Sequence, residues 1–197
     1  MAPLADLMRW WKSQRTKGLI IGGLAVAILG RPRTTRDVDG VVILPESKWE
    51  SFLSAGAKFG FIARIPDALA FAREARVLLV RHDASGIEVD ISLGLLPFEA
   101  EAISRANTVE VGGVAIPVPT PEDLIVMKAI ARRDRDFADI EGLLKAHPRL
   151  DLSRIRTWSR AFAEGLEMPE IVEDLERLIA EHHTGTTKKG RSKRKSK

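Results

Sequence analysis

The sequence lacks cysteine and tyrosine altogether, and its 197 residues contain no apolar run of the length that crosses a membrane. A membrane-spanning helix needs about 20 consecutive apolar residues. Without cysteine the chain forms neither disulfides nor thiolate metal sites, and without tyrosine it has few aromatic rings on which RNA bases could stack. Asp6 and two tryptophans stand near the N-terminus, where a secretory signal would be apolar. We therefore expect a cytoplasmic protein that has no membrane partner.

Acidic residues are also missing from the C-terminal end of the chain. The segment 184–197, TGTTKKGRSKRKSK, holds seven Lys or Arg residues, so the rest of the chain has 24 cations against 27 anions and the net charge of +4 comes from this tail. Because the tail has no apolar residue to bury, we expect it to be disordered. It serves either as a solubilising extension or as a sequence-independent contact for RNA phosphates.

The pattern of apolar residues predicts an α+β protein. Short apolar runs next to Gly, Pro or Asp predict strands in GLIIGG, DVDGVVIL, RVLLVRH, IEVDISLG and TVEVGGVAIPVP. Helical spacing of apolar residues predicts a helix at the N-terminus and a helical segment from Pro121 onward. We therefore place a mixed core at 1–120, a helical part packed on it at 121–183 and the disordered tail at 184–197.

Two aspartates stand one residue apart at the start of a predicted strand, in the stretch RTTRDVDGVVIL. Side chains alternate across a strand, so Asp37 and Asp39 face one side while Val38 faces the core. Adjacent carboxylates repel one another unless a cation lies between them, and Mg²⁺ or Mn²⁺ prefers such oxygen ligands. The pair indicates a metal site, although a solvated strand edge or a cap would produce the same pattern.

A third candidate ligand is Asp90, which shares one strand face with Glu88 in IEVDIS. If this strand lies beside the strand of Asp37, Asp90 completes a triad able to hold two metal ions roughly 3.5–4 Å apart, as in phosphoryl transfer. The glycines Gly22 and Gly23 end an apolar strand and precede a helix, so their backbone could approach a phosphate closely. An ordinary tight turn is the more common origin of such a glycine pair.

Together these motifs resemble a known signature. Two glycines, thirteen intervening residues, DVD and a later VDIS resemble the DNA polymerase β-like nucleotidyltransferase superfamily. More narrowly, IGGLAVAILGRPRTTRDVDGVV and PTPEDLIVMKAIARRDRDFADIEGLL are similar to nucleotidyltransferases of the abortive-infection type, the toxins of type IV toxin–antitoxin pairs. The resemblance spans about residues 18–146. It implies the superfamily's mixed sheet flanked by helices, followed by a helical C-terminal part.

The resemblance implies roles for residues of the core. Asp37 and Asp39 would hold the metal ions that bridge a nucleoside triphosphate, and Asp90 would bind the catalytic metal and help to activate the attacking hydroxyl. Gly22 and Gly23 would line the phosphate loop. Many relatives carry serine at the position of Gly23, so this chain lacks one hydroxyl that could contact a phosphate.

The resemblance also implies site residues in the helical part. Lys128 matches a lysine that faces the triphosphate, and Asp136 or Asp139 matches an acid that completes the catalytic site. One continuous helix would place Lys128, Asp136 and Asp139 on one side together with Arg132, which is also the pattern of a solvated charged face. Arg33 and Arg132 are candidates for binding the triphosphate, unless Arg33 only screens the neighbouring acids.

The resemblance therefore implies metal-dependent transfer of a nucleoside monophosphate. An acceptor hydroxyl would attack the α-phosphorus of a nucleoside triphosphate with Mg²⁺ or Mn²⁺ as cofactor, and pyrophosphate would leave. The expected acceptor is a tRNA 3′ end, and the expected protein partner is a cognate antitoxin. Two alternatives stay open: an enzyme acting on a protein or on a small molecule such as an aminoglycoside, and a non-catalytic module that binds nucleotide or RNA.

Overall fold

In the computed structural model of the chain, residues 2–32, 34–35 and 37–192 are described, and residues 183–192 by their backbone alone. The chain divides into two compact units, which are Met1–Ile28 with Pro32–Thr120 and Leu29–Arg31 with Pro121–Lys197. The helices and strands are, in chain order, α1 (Ala2–Ser13), β1 (Gly18–Ile21), α2 (Gly22–Leu29), β2 (Asp37–Ile43), α3 (Trp49–Gly56), β3 (Phe61–Ala63), α4 (Ala68–Ala75), β4 (Val77–His82), β5 (Glu88–Gly94), α5 (Pro97–Ser104), β6 (Asn107–Val111), β7 (Val114–Val118), α6 (Pro121–Ala131), α7 (Asp134–Ala146), α8 (Leu152–Gly165) and α9 (Glu170–Ser192). The predicted α+β architecture is confirmed.

Five strands of the first unit form one mixed sheet in the order β1-β2-β5-β4-β3. Strands β2 and β5 run parallel, and every other neighbouring pair in this sheet is antiparallel. Strands β4 and β5 form a hairpin, and so do β6 and β7. The β6–β7 hairpin is a separate two-stranded sheet that contacts β1 through β7. The condition set above is met, because the strand of Asp37 lies directly beside the strand of Asp90.

The two faces of the five-stranded sheet differ in polarity. One face carries buried apolar side chains from its three central strands, namely Val38, Val42, Leu78, Val80, Val89, Ile91 and Leu93. The opposite face of the same strands carries the carboxylates of Asp37, Asp39, Glu88 and Asp90. A shift of one residue in the pairing of β2 with β5 would turn one strand's carboxylates into the core, so burial of the apolar face determines this register.

Helix α1 covers the apolar side of the sheet with two neighbouring tryptophans. Trp10 stacks on Phe52 and Phe61 at centroid distances of 4.5 and 5.2 Å, and its Nε1 donates a hydrogen bond to the Phe52 carbonyl at 3.0 Å. Trp11 lies against β2, where a Cβ at Gly40 would come within 2.8 Å of its ring. This contact requires glycine in the middle of β2, next to Asp39.

The second unit packs α6, α7, α8 and α9 around one apolar core. Its buried side chains include Leu124, Ile125, Ile140, Leu143, Ile155, Ile171 and Leu175. The buried carboxylate of Asp123 on α6 accepts a hydrogen bond of 2.7 Å from Nε of Arg154 on α8. The ion pair therefore joins α6 to α8 within the second unit.

The expectation of one continuous helix through residues 128–139 is wrong, because α6 ends at Ala131 and α7 begins at Asp134. Arg132 has φ +53 in the left-handed region, and Arg133 is extended with φ −77 and ψ 152. The Asp136 carboxylate then accepts a hydrogen bond of 3.1 Å from the Arg133 N–H and caps α7. An acidic residue that caps from the third helical position indicates that a new helix begins here. The spacing of the charged residues does not reveal this second helix.

Other elements also differ from the sequence-based expectations. Helix α9 extends to Ser192, so residues 184–192 are helical although the sequence predicts a disordered tail, and residues 193–197 lie outside the described residues. The sequence patterns did not predict β3, α4 or α5, which are at most eight residues long. Within the described residues, no helix is both long enough and apolar enough to cross a membrane.

Candidate active site

Four carboxylates form a two-by-two array on one face of the parallel strand pair. Asp37 is the register partner of Glu88, and Asp39 is the register partner of Asp90. Partners on adjacent strands lie about 5 Å apart and point to the same side of the sheet. Like charges placed directly opposite one another destabilise a sheet, so an array of four acids is costly unless cations accompany it.

Asp39 lies against the first residue of α2. Gly22 follows β1 directly and has φ +59, and a Cβ at this position would lie 1.8 Å from Oδ2 of Asp39. Gly22 therefore provides both the left-handed backbone and the space for the carboxylate. The N–H groups of a first helical turn have no partner within the helix, and the helix dipole favours anions there. Gly22 and the buried Gly23 thus place a potential phosphate-binding helix terminus beside Asp39.

The other carboxylates of the array have different neighbours. Asp37 Oδ1 accepts a hydrogen bond of 2.7 Å from the hydroxyl of Thr35. Arg64, the residue that follows β3, donates through Nη1 to Glu88 and places Nη2 at 2.9 Å from Oδ1 of Asp90. The basic candidate Arg33 lies outside the described residues.

The donor chemistry of the array fits a hard divalent cation, although its side chains are not gathered around one point. Asp37, Asp39 and Asp90 supply carboxylate oxygens from two adjacent strands, which is the ligand type that Mg²⁺ prefers. Over the part of the chain that the structure describes, no three His, Asp or Glu side chains converge as a metal site requires. The carboxylates are directed toward Thr35, Gly22 and Arg64 respectively. The backbone of the predicted triad is in place, and its side chains adopt separate orientations.

The predicted site residues of the helical part form a buried cluster in the second unit. Nζ of Lys128 lies 2.7 Å from Oδ1 of Asp136 and 3.0 Å from Oδ2 of Asp139, and all three residues are buried. Asp136 also accepts a hydrogen bond of 2.8 Å from Nε of Arg133. The cluster links α6 to α7 across the turn between them. The Lys128 ammonium is directed at two carboxylates of its own unit.

The pKa of Asp136 results from two opposing effects. Burial on its own would raise the pKa, but hydrogen bonds from Lys128 and Arg133 outweigh it and hold the pKa below its ordinary value. Asp136 is therefore ionised at neutral pH although it is fully buried. An ionised, hydrogen-bonded carboxylate in this position stabilises the start of α7.

Arg132 is held by contacts within the second unit. Its Nη1 lies 2.7 Å from Oδ2 of Asp174 on α9, and its guanidinium lies over the ring of Phe137 at 6.0 Å from the centroid. These contacts join the turn after α6 to α7 and α9. The predicted role of Arg132 toward a nucleotide stays a prediction.

Sequence reasoning missed Arg64, a cation that contacts Glu88 and Asp90 of the array. The sequence offered no signal for it, because β3 has three residues and no alternating pattern. The structure reveals it through pairing: the Arg64 N–H donates to the Leu79 carbonyl at 3.0 Å, which extends the pairing of β3 with β4 by one residue. For Glu88 the sequence predicts only that it shares a strand face with Asp90.

Comparison with known proteins places this fold. Residues 5–164 match the protein family described as nucleotidyltransferase of unknown function (DUF6036). No curated protein matches the sequence. The solution structure of the antibiotic-resistance factor ANT(2'')-Ia has a TM-score of 0.57 and 14% identity over 85% of this chain and 93% of its own.

Two further solved structures share the fold at low sequence identity. An antigenic nucleotidyltransferase-like protein from Paracoccidioides brasiliensis gives a TM-score of 0.55 and 13% identity over 89% of this chain and 91% of its own. The lincosamide antibiotic adenylyltransferase LnuA, with lincomycin bound, gives 0.50 and 12% over 72% of this chain and 94% of its own. The family match covers most of the sequence, and the structural matches agree with it in fold. The chain therefore belongs to the DUF6036 family of nucleotidyltransferases.

Proposed function

We propose that this nucleotidyltransferase uses the acid array of β2 and β5 to transfer a nucleoside monophosphate from a nucleoside triphosphate to an acceptor hydroxyl. The observation that carries the proposal is the register of Asp39 with Asp90 on parallel neighbouring strands, with Asp37 on the same face. The N-terminus of α2 beside Asp39 supports it, because a phosphate group could bind there.

In this proposal each residue has a defined task. Asp37, Asp39 and Asp90 would hold Mg²⁺ or Mn²⁺, which supplies charge stabilisation for the phosphates when bound. Asp90 would also help to remove the proton of the attacking hydroxyl as the new O–P bond forms and the bond to pyrophosphate breaks. The amides at Gly22 and Gly23 orient the triphosphate. The acceptor hydroxyl thus loses its proton and gains the nucleotidyl group, and pyrophosphate is the leaving group.

The Lys128 cluster has a structural task in this proposal. Lys128 is buried and its ammonium lies within 3.0 Å of both Asp136 and Asp139. A triphosphate would have to displace these two carboxylates to gain the ammonium. We therefore assign the cluster to the stability of the α6–α7 turn and not to the chemical step.

The proposed acceptor is a tRNA 3′ end, with growth arrest as the result and an antitoxin protein as partner. The resemblance of residues 18–146 to abortive-infection toxins supports it. The seven Lys or Arg residues at 184–197 also favour a polyanionic acceptor. We place this activity in the cytoplasm, where tRNA and nucleoside triphosphates are available.

A small-molecule acceptor is the second candidate. Two solved proteins of this fold are an ANT(2'')-Ia complexed with adenylyl-2''-tobramycin and an LnuA bound to lincomycin, so the fold can act on small antibiotics. Both identities are below 20%, and a fold alone does not determine the acceptor. The acceptor therefore has to be identified by assay.

The test is a labelling assay with several acceptors. Purified protein is incubated with each α-phosphate-labelled nucleoside triphosphate and Mg²⁺ or Mn²⁺, in the presence of total tRNA, an aminoglycoside or a lincosamide. Asp39→Asn removes one proposed ligand, and Asp83→Asn in the exposed β4–β5 turn is the matched control. We expect label in tRNA with wild type and Asp83→Asn, and none with Asp39→Asn.

Each alternative has its own result in this assay. Label in an antibiotic and not in tRNA would replace the proposed acceptor by the second candidate. Equal labelling by Asp39→Asn and wild type would contradict the proposed site. Wild-type protein that binds nucleotide but labels no acceptor would favour the non-catalytic alternative. Expression in cells tests the toxin role, since growth arrest should require Asp39 and should be relieved by the antitoxin.

A further inference from the structure

We propose that Arg64 is a positioning residue that holds the Asp90 carboxylate in the orientation needed to bind a divalent cation, with Glu88 as the anchor of Arg64. The inference rests on the proposed function, because it takes Asp90 to be a metal ligand. It assigns to Arg64 and Glu88 a task that neither the motifs nor the family match assigns. The carrying observation is one guanidinium that contacts both acids of β5.

Arg64 reaches Asp90 along one row of the sheet. The Arg64 N–H donates to the carbonyl of Leu79 on β4, and Leu79 is the register partner of Asp90 on β5. Residues in such a row point to the same face, and two strand spacings amount to about 10 Å. An arginine side chain spans this distance by lying across β4. The backbone pairing therefore determines where its guanidinium ends.

The two terminal nitrogens of the guanidinium have separate partners. Nη1 of Arg64 donates to Oε2 of Glu88, and Nη2 lies 2.9 Å from Oδ1 of Asp90. A planar guanidinium held at two points has little rotational freedom, which a lysine ammonium could not reproduce. Glu88 thus determines the plane of the group that contacts Asp90.

The contact leaves one oxygen of Asp90 accessible. Oδ1 of Asp90 is shielded from solvent and contacts the guanidinium as an ion pair outside hydrogen-bond geometry, whereas the side chain as a whole is 41% exposed. The solvent-facing oxygen is therefore Oδ2, and it lies on the sheet face that also carries Asp39. A cation bound between these two strands would find one Asp90 oxygen already oriented. Residues behind a metal ligand commonly affect metal affinity by 10- to 100-fold.

A simple charge effect is the alternative explanation. Arg64 lowers the negative charge of the array, and its removal alone would attract cations more strongly whatever the orientation of Asp90. The double variant Arg64→Gln/Glu88→Gln removes one cation and one anion together, so the net charge of the array does not change. A loss of metal affinity in this variant therefore results from the changed orientation of Asp90 and not from a change in the net charge of the array.

The test is titration of the full chain with Mn²⁺ alone, followed by electron paramagnetic resonance of the free ion. We expect Arg64→Gln/Glu88→Gln to bind Mn²⁺ about tenfold more weakly than wild type. The matched control is Arg73→Gln/Glu46→Gln, which removes another exposed ion pair of the first unit, 2.9 Å long, without changing the net charge. This control should bind Mn²⁺ as wild type does, and both double variants should keep the thermal midpoint near that of wild type, because exposed ion pairs contribute little to stability.

Asp90→Asn separates failure of this inference from failure of the proposed function. If Asp90→Asn loses Mn²⁺ binding while Arg64→Gln/Glu88→Gln binds it as wild type does, the positioning role of Arg64 is overturned. Asp90 then remains a metal ligand, as the proposed function requires. If Asp90→Asn binds Mn²⁺ normally, Asp90 is not a ligand and both proposals fall. Should the double variant not fold, Arg64→Lys keeps the charge and loses the two-point contact, and wild-type affinity in that variant would equally overturn the role.

Discussion

The carboxylate of Asp39 occupies the space that a side chain at Gly22 would need, with Oδ2 only 1.8 Å from the position of such a Cβ. Alanine at Gly22 must therefore displace Asp39, and it must also adopt φ +59, which costs about 1–2 kcal/mol. We expect Gly22→Ala to lose at least tenfold of the nucleotidyl-transfer rate in the labelling assay.

Gly113→Ala is the matched control for this prediction. Gly113 has φ +79, so alanine is strained there as well, but no atom lies within 4 Å of the added Cβ. Gly113→Ala should lose stability by a similar amount and keep its activity. Equal loss of activity in both variants would show that backbone strain, and not the position of Asp39, explains the effect.

Removal of the paired acids should separate activity from stability. Asp37→Ala/Asp39→Ala removes two of the four carboxylates that face one another across β2 and β5. Relief of opposed like charges contributes about 0.2–1 kcal/mol in a sheet, so the thermal midpoint should stay unchanged or rise slightly. Activity should fall by about a thousandfold or more, since two proposed metal ligands are lost. A folded double variant that still labels its acceptor would rule out these acids as the catalytic centre.

Lys128→Met tests whether the buried lysine supports the fold or the nucleotide. Its removal leaves Asp136 and Asp139 buried without their shared cation, which costs about 3–5 kcal/mol of unfolding free energy. Urea unfolding should show this loss. Lys145→Met, which breaks an exposed pair with Glu141, should cost about 0.5 kcal/mol or less. If Lys128→Met keeps its stability and loses activity, the sequence-based role facing the triphosphate is the right one.

The stability of the chain should fall in acid partly through Asp136. Its folded pKa lies below the ordinary value of 3.8, so the unfolded carboxyl binds a proton at a pH where the folded one is still ionised. The stabilisation is therefore complete well above pH 4 and is lost as the pH falls through the folded pKa. Thermal unfolding between pH 7 and pH 3 should show a steeper loss for wild type than for Asp136→Asn. Parallel curves for the two proteins would contradict the lowered pKa.

The parts of the site that the sequence predicted are those with a local signal. Alternating residues identified β2 and β5 and placed Asp37, Asp39 and Asp90 on strand faces. Glycine at the end of an apolar run identified the start of α2 at Gly22. Each of these features depends on neighbours along the chain, so a short stretch of sequence contains it. The parallel pairing of β2 with β5 joins distant parts of the chain, so the sequence alone does not predict it.

The parts that the sequence did not predict depend on distant partners. Arg64 contacts acids more than twenty residues away, and the strand that places it is only three residues long. The charge spacing around Lys128 fits one helix as well as it fits two. The left-handed backbone of Arg132 ends the first helix, and the capping carboxylate of Asp136 begins the second. Tertiary contacts therefore override the periodic pattern at this turn.

The parallel pairing of β2 and β5 also determines when the proposed site can form during folding. Parallel neighbours cannot be joined by a tight turn, and about 50 residues of chain separate Asp39 from Asp90. Contacts across such a long loop form late, because loop closure has to precede them. A nascent chain therefore has no acid array until β5 has left the ribosome.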